Sequence, residues 1–377
     1  MVDQGGLHAE VMETFRQELF EEGTLHDGDT IGTDDQSLLR FLRARKFNLA
    51  QSKKMIKDCQ EWRKTVEGVG IDELYRRIDP FDYPEREAVF ECWPMWFHKT
   101  DKKGRPLNIN FFGGMDLPKL HKVCTPEKHW QTIIVNAESL CREVLPAASR
   151  QAGRTIGTAF VIVDLKGFGL SQFWQVKSLA RSSFQISQDY FPETMGQLAI
   201  VNAPASFTLI WSMIKPWLSK ETVEKVDILG SDYKDELLKL IDADCLPSIL
   251  GGTCECKEAG GCQLSGAGPW MGGRVGWGPN AGKHGKRLSG VDDQGGVGAS
   301  ASKVEEREDF RDVVPHYNGS ALAEPMENGK IPGLNIDNAA DEPQPGVLID
   351  PLSLKRGEQE GENSQDRDVL GAQESPG

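Results

Sequence analysis

The sequence predicts an α/β protein: a mostly parallel sheet covered by helices, preceded by a small helical unit. Three observations carry this. Gly157-Thr-Ala-Phe-Val-Ile-Val-Asp164 is short, apolar and rich in β-branched residues, as a strand buried on both faces must be. Strand-like and helix-like segments alternate from about residue 93 onward, the pattern of helices returning over a sheet. Before that, apolar residues recur only at helical spacing. At 377 residues, and with domains of roughly 100–200 residues, two folded units and a tail are expected.

Taken in order, residues 9–22 place Val11, Phe15 and Leu19 on one helical face. Thr33 with Gln36 reads as a capping box opening a helix that buries Leu38, Leu39, Phe41 and Leu42. Asn48 with Gln51 repeats that logic for a helix carrying Met55, Ile56, Cys59 and Trp62. Residues 93–98 and 106–112 read as two strands joined by the turn Asp101-Lys-Lys-Gly104. Thr125-Pro126 starts a helix lined by Trp130, Ile134, Ala137 and Val144. After the central strand, Ser171 caps a helix through Phe173, Val176 and Phe184. Residues 197–202 form a strand, Ala203-Pro204 opens a helix, residues 224–229 form a strand, and residues 234–241 a last helix. Within 157–164, Ala159, Val161 and Val163 share one face; Thr158, Phe160 and Ile162 share the other.

Charge is uneven. Of a net −14, residues 273–377 contribute 11 basic and 19 acidic side chains. That segment is rich in Gly, Pro and Ser, holds no apolar period, and reads as a disordered acidic tail. Nothing resembles a basic nucleic-acid footprint. No apolar run approaches the ~18 residues of a membrane span, and the N-terminus lacks the order of a signal peptide. A cytoplasmic protein with reduced cysteines and peripheral membrane contact is expected.

Motifs for catalysis are missing: no dinucleotide glycine pattern, phosphate loop, zinc-protease helix or nucleophile elbow. Asp164 is read as orienting the turn after its strand, and His98, His121 and His129 as surface or turn histidines. Cys254, Cys256 and Cys262 are read as ordinary thiols in a glycine-rich loop. They have a one-residue spacer, no His nearby in sequence and no fourth ligand in register. No metal and no catalytic residue is assigned.

From Leu38-Leu-Arg-Phe-Leu-Arg-Ala-Arg-Lys-Phe47 onward, the chain resembles the CRAL-TRIO lipid-binding family, closest to its phosphatidylinositol/phosphatidylcholine transfer branch in fungal secretion. The match runs through His98-Lys-Thr-Asp101, Gly104-Arg-Pro106, Asp164-Leu-Lys-Gly167, Tyr190-Phe-Pro-Glu193, Asn202-Ala-Pro204, Lys215-Pro216, Ile228-Leu-Gly230 and Gly268-Pro-Trp270, over about residues 30–272. The resemblance implies a helical N-terminal lobe (1–85), a lipid-binding domain (86–272) whose sheet floors an apolar pocket, and a tail (273–377). It implies a gate over about 205–218, with Phe207, Ile210, Trp211, Ile214 and Leu218 along one face. Trp211 and Trp217 suit a membrane interface.

The family's headgroup residues match Arg45, Lys46, Glu193, Thr222 and Lys225: cations for the phosphodiester, a carboxylate for inositol hydroxyls. Thr194 departs from the family's Arg after that Glu. The choline-lipid site departs further. A Ser-x-Thr pair is replaced by Ala159 and Val161, and tyrosines by Phe97, Asn108 and Ala137. An aromatic box for a quaternary ammonium needs several rings. The resemblance thus implies a monomeric, non-enzymatic carrier of phosphatidylinositol, with no cofactor beyond the bound phospholipid. It would work transiently on Golgi or endosomal membranes, with the phosphatidylcholine site lost. The competing readings are an α/β enzyme, for which no constellation of nucleophile and base exists, and a lipid-regulated scaffold recruiting partners through the acidic tail.

Overall fold

The computed structural model describes residues 4–281. The expected tail from residue 282 onward lies outside the described residues. Helices α1 (Gln4–Glu21), α2 (Asp35–Ala44) and α3 (Leu49–Thr65) come first. Phe15, Leu19, Leu38, Phe41, Leu42, Met55, Ile56 and Cys59 form a core of their own. Two local readings need correction. Asp34, not Thr33, caps α2: its carboxylate accepts from the backbone N–H of Gln36 and Ser37 at 3.0 and 3.1 Å. A carboxylate at a helix N-terminus also gains from the helix dipole, which a threonine hydroxyl does not. Arg40 is buried on α2 whereas Leu39 is only half-buried. Asn48 caps α3 as expected, accepting from Gln51 N–H at 3.0 Å.

Short helices α4 (Ile71–Arg77) and α5 (Arg86–Cys92) lead into strands β1 (Met95–Thr100) and β2 (Pro106–Phe111). Trp93, expected in the first strand, instead ends α5, its N–H on the Val89 carbonyl at 2.7 Å. Helices α6 (Leu117–Val123) and α7 (Pro126–Ser139) follow, and α7 runs through a π-turn (Leu140–Val144) into α8 (Leu145–Ala152). Then come β3 (Ala159–Asp164), α9 (Leu170–Tyr190), β4 (Met195–Val201), α10 (Phe207–Ile214), α11 (Lys220–Val223), β5 (Val226–Ile228), α12 (Tyr233–Leu240) and α13 (Cys262–Ser265). The cap of α9 is Gly169, not Ser171, with Gln172 Oε1 accepting from the Gly169 N–H at 3.1 Å. Ala203-Pro204 precedes α10 by a turn rather than opening it.

The strands stand in chain order, β1-β2-β3-β4-β5, with only the β1–β2 pair antiparallel. The α/β class is as the sequence predicts. One feature of β3 is not. Phe160 and Ile162 are fully buried, but Val161 and Val163 on the other face are half-buried. A continuous apolar run was expected to be covered on both sides; here one side floors a partly open space.

Residues 273–281 also depart from expectation. They were assigned to the tail, yet they strap back over the region of α4. Arg274 pairs with Asp79 at 2.9 Å and with Glu143 at 2.5 Å, and its guanidinium lies 4.7 Å from the ring centroids of Phe81 and Trp277. Asp79 also accepts from Trp277 N–H, and Asp82 from Asn280 N–H. Low hydropathy hid a segment held by ion pairs. A second buried network joins α3 to α7, where Glu138 accepts two bonds from Arg63 at 2.7 and 2.9 Å.

Candidate functional site

Cross-strand partners point to the same side of a sheet. The register therefore aligns Phe97, Asn108, Val161, Leu198 and Val226 in one row, and Met95, Asn110, Val163, Ile200 and Ile228 in the next. Ala159 shares this face of β3. Four inter-strand spacings make the floor about 19 Å wide. Val161 and Leu198 are half-buried at its centre, as is Val226 at the β5 edge. Behind it, Leu107, Ile109, Phe160 and Ile162 are wholly buried and hold the sheet to its other helices. At one margin Phe97 packs on Trp270, Val144 and Ala147. Asn108 is engaged by Asn110, whose amide nitrogen donates to its side-chain oxygen at 2.6 Å. Asn110 was not singled out from the sequence, although the strand alternation puts it on the same face. Ala137 is partly buried against the main core.

The segment expected to be a gate is α10 and the 3₁₀ turn Lys215–Trp217 after it. Phe207 and Ile210 are buried; Trp211 and Ile214 are partly buried against the main core, and Leu218 is half-buried. Thr208, Leu209 and Ser212 face outward. The face named from the sequence is thus the inward one. The turn is held to α9, where Gln188 Nε2 donates to the Trp217 carbonyl at 3.0 Å and Phe184 lies against Trp217. An aspartate at Ile214 would put a charge into this apolar contact whenever the helix is seated, which is costly without a partner. Ile214→Asp should lower the amount of lipid co-purifying with the protein, measured by mass spectrometry; unchanged loading would show that this face does not border the lipid space.

Four of the five polar residues named from the sequence, Lys46, Thr222, Lys225 and Glu193, lie along a chain of contacts that runs through Glu221, and Arg45 precedes Lys46. Arg45 ends α2, and Lys46 and Phe47 follow in the left-handed region (φ 51° and 59°), turning the chain outward. Lys46 Nζ meets Glu221 on α11 at 2.9 Å, which lifts the lysine's pKa and lowers the carboxyl's. Next to Glu221, Thr222 Oγ1 lies 2.9 Å from Ser219 Oγ, and its carbonyl accepts from Lys225 N–H at 3.2 Å. Lys225 Nζ pairs with Glu193 at 2.8 Å, both about a quarter exposed. Glu193 is itself left-handed (φ 54°), in the turn that joins α9 to β4. Asp189 on α9 stands near Arg45; burial raises its pKa, with Gln185 and Arg45 opposing. Three cations and three carboxylates thus lie where the end of α2, the end of α9 and α11 come together. Asp164 accepts from Lys166 N–H at 2.8 Å and from Asn202 Nδ2 at 2.9 Å, so it orients two turns, as expected.

Two expectations about polar residues fail. His98 and His129 are buried, at 0% and 5% exposure, not surface histidines. Burial takes the His98 imidazole down to about 4, with Lys99 adding to the effect, so the ring is neutral at pH 7. Furthermore, β1 carries His98 to Cys254, Cys256 and Cys262, a histidine neighbour that linear spacing did not reveal.

Residues 10–58 match the model of the CRAL/TRIO N-terminal domain and residues 90–252 that of the CRAL/TRIO domain. The chain belongs to the CRAL-TRIO family. It is 47% identical over 243 residues to the Sec14 cytosolic factor of Schizosaccharomyces pombe, covering 64% of this chain and 82% of that one. It is 41% identical to the SEC14 cytosolic factor of Eremothecium gossypii, over 70% of this chain and 82% of the relative. With the phosphatidylinositol/phosphatidylcholine transfer protein SFH4 of Arabidopsis thaliana it shares 36% identity, over 68% of this chain and 41% of that protein. Membership places it in a lipid-binding, lipid-transfer class that performs no catalytic step. Among the described residues no helix is long and apolar enough to cross a membrane.

Proposed function

We propose that this protein extracts phosphatidylinositol from a membrane, shields its acyl chains over the β2–β5 floor beneath α10, and carries or presents it in vesicle traffic and phosphoinositide signalling. The observation that carries this reading is the contact chain Lys46–Glu221–Thr222–Lys225–Glu193, with Arg45 beside it. Residues far apart in sequence meet at one mouth, offering cations to a phosphodiester and a carboxylate to ring hydroxyls. These groups neutralise one another; a bound inositol phosphate would draw Lys225 to its phosphate and leave Glu193 to accept from hydroxyls. Each buried CH₂ contributes about 0.8 kcal/mol, so release into water is negligible and exchange takes place at a membrane, with the gate displaced. On the family resemblance we also propose that it is a cytoplasmic monomer that visits Golgi or endosomal surfaces.

Lys225→Ala, and separately Arg45→Ala with Lys46→Ala, should abolish transfer of labelled phosphatidylinositol between vesicles while the far-ultraviolet circular dichroism is retained. Transfer at near the parent rate by the folded variants would sink the headgroup assignment.

A further inference from the structure

We propose that His98, Cys254, Cys256 and Cys262 bind one zinc ion in a closed tetrahedral site that fastens the loop before α13 to the end of β1. The four ligand atoms all lie within 4.8 Å of one another, and three of the four residues are buried. Cys254 and Cys256 sulfurs stand 3.6 Å apart. Zinc–sulfur bonds of about 2.3 Å place tetrahedral sulfurs about 3.8 Å apart, so modest contraction of the cluster completes the shell.

A second observation points to a ligand independently of the cysteines. His98 is wholly buried, yet among the described residues neither ring nitrogen has a hydrogen-bond partner. A buried imidazole without partners is costly, and buried polar groups are rarely left so. A metal bond to one nitrogen would relieve this. Three thiols cannot all be satisfied by disulfides, and a sulfur separation of 3.6 Å is well beyond the roughly 2.05 Å of a disulfide.

The backbone is shaped around the cluster. Lys99 (φ 43°) breaks the β1 register just after His98, and Cys256 (φ 44°) is left-handed in the loop. The Cys256 carbonyl accepts from Ala259 and Gly261 N–H, folding the loop back so that Cys262 returns to Cys254. Gly252 cannot be replaced, since a Cβ there would stand 1.9 Å from the Leu246 carbonyl oxygen.

Three thiolates and one neutral imidazole are the donors that zinc accepts, and they fill all four positions. No position is open to water, so the role is structural rather than catalytic. Binding releases three thiol protons and leaves a net charge of −1 on the site. Lys99, whose ammonium donates to the Asp244 carbonyl at 2.6 Å, is the adjacent cation that offsets it.

The test uses the untagged full chain, purified without chelator. Elemental analysis should find about one zinc per chain. Replacement by Co²⁺ should give the visible absorption of a tetrahedral ion with a thiolate charge-transfer band. Stripping the metal should lower the thermal midpoint, and added Zn²⁺ should restore it. Cys262→Ser should lose zinc to a chelator concentration that the parent and Cys124→Ser both withstand, and His98→Ala should alter the cobalt spectrum. Should the variants fail to fold, the parent still decides. Less than a tenth of an equivalent of zinc, with no cobalt spectrum after reduction, would overturn the proposal. So would a Cys254–Cys256 disulfide in the freshly isolated protein, seen as the loss of two hydrogens in mass.

Discussion

Truncating the chain after Gly272 should destabilise it by about 3–5 kcal/mol, whereas truncation after Ala281 should cost little. The difference is Arg274. Its guanidinium is buried, and so is the Asp79 carboxylate it neutralises. Losing it leaves Asp79 and Glu143 charged and unpaired, the circumstance in which breaking a buried pair costs most. Arg274→Ala alone should reproduce the effect of the longer truncation. Urea unfolding gives the readout: a lower midpoint with an unchanged slope is expected, and equal midpoints for the two truncations would refute it. Burial alone would raise the Asp79 pKa, but hydrogen bonds from Arg274 and from the backbone N–H of Phe81 outweigh it, and the pKa is lowered overall. A depressed carboxylate pKa stabilises above the unfolded value of about 3.9 and ceases to do so as pH falls through the folded one. The gap between parent and Arg274→Ala should therefore narrow only in acid. Deletions meant to probe the acidic tail should begin after residue 281.

The second large effect concerns cargo choice. The unmodified protein should transfer phosphatidylinositol but little phosphatidylcholine. A choline lipid over this floor would set its phosphate and ammonium against Ala159, Val161, Asn108 and Ala137. Ala159 is buried, and neither it nor Val161 offers a side-chain donor. Each unmet polar group costs about 1–3 kcal/mol, so two absent phosphate donors together with the depleted aromatic box should reduce affinity by about 10²-fold. Ala159→Ser with Val161→Thr, and tyrosines at 97, 108 and 137, should recover part of that transfer. Paired vesicle assays with the two labelled lipids measure both; efficient choline-lipid transfer by the parent would show that the pocket has been misread.

The alternation of 157–164 gave its two faces correctly, and the helical face of Phe207, Ile210 and Ile214 was readable because period 3.6 is a local property. Caps were readable only to within one or two residues, since Thr33 and Asp34 are both good caps, and the contacts that choose between them are not in the pattern. Helices α4 and α5, of seven residues each, fell below the length at which a period can be recognised. Two features were not local at all. The exposure of Val161 depends on what covers β3, and no strand sequence states that. His98 reaches the cysteines only because β1 pairs with β2 and the loop before α13 folds onto it, a contact across more than 150 residues of chain. The strap through Arg274 was hidden because it is held by ionic contacts rather than by an apolar stripe.

The position of α10 in the chain has a consequence for how its movement is limited. It belongs to the crossover between β4 and β5, which are neighbours in the sheet. The segment proposed as the gate is therefore hung at both ends. One end is Asn202, left-handed (φ 54°) and moored to Asp164. The other is Lys225, whose carbonyl accepts from Leu198 N–H at 2.8 Å while its ammonium reaches Glu193. A segment tethered this way cannot swing clear like a lid on one hinge; it can only bow outward between fixed posts. On the proposed headgroup reading one of those posts is also the cation that meets the phosphate, so an arriving cargo would pull on the same residue from which the segment is slung.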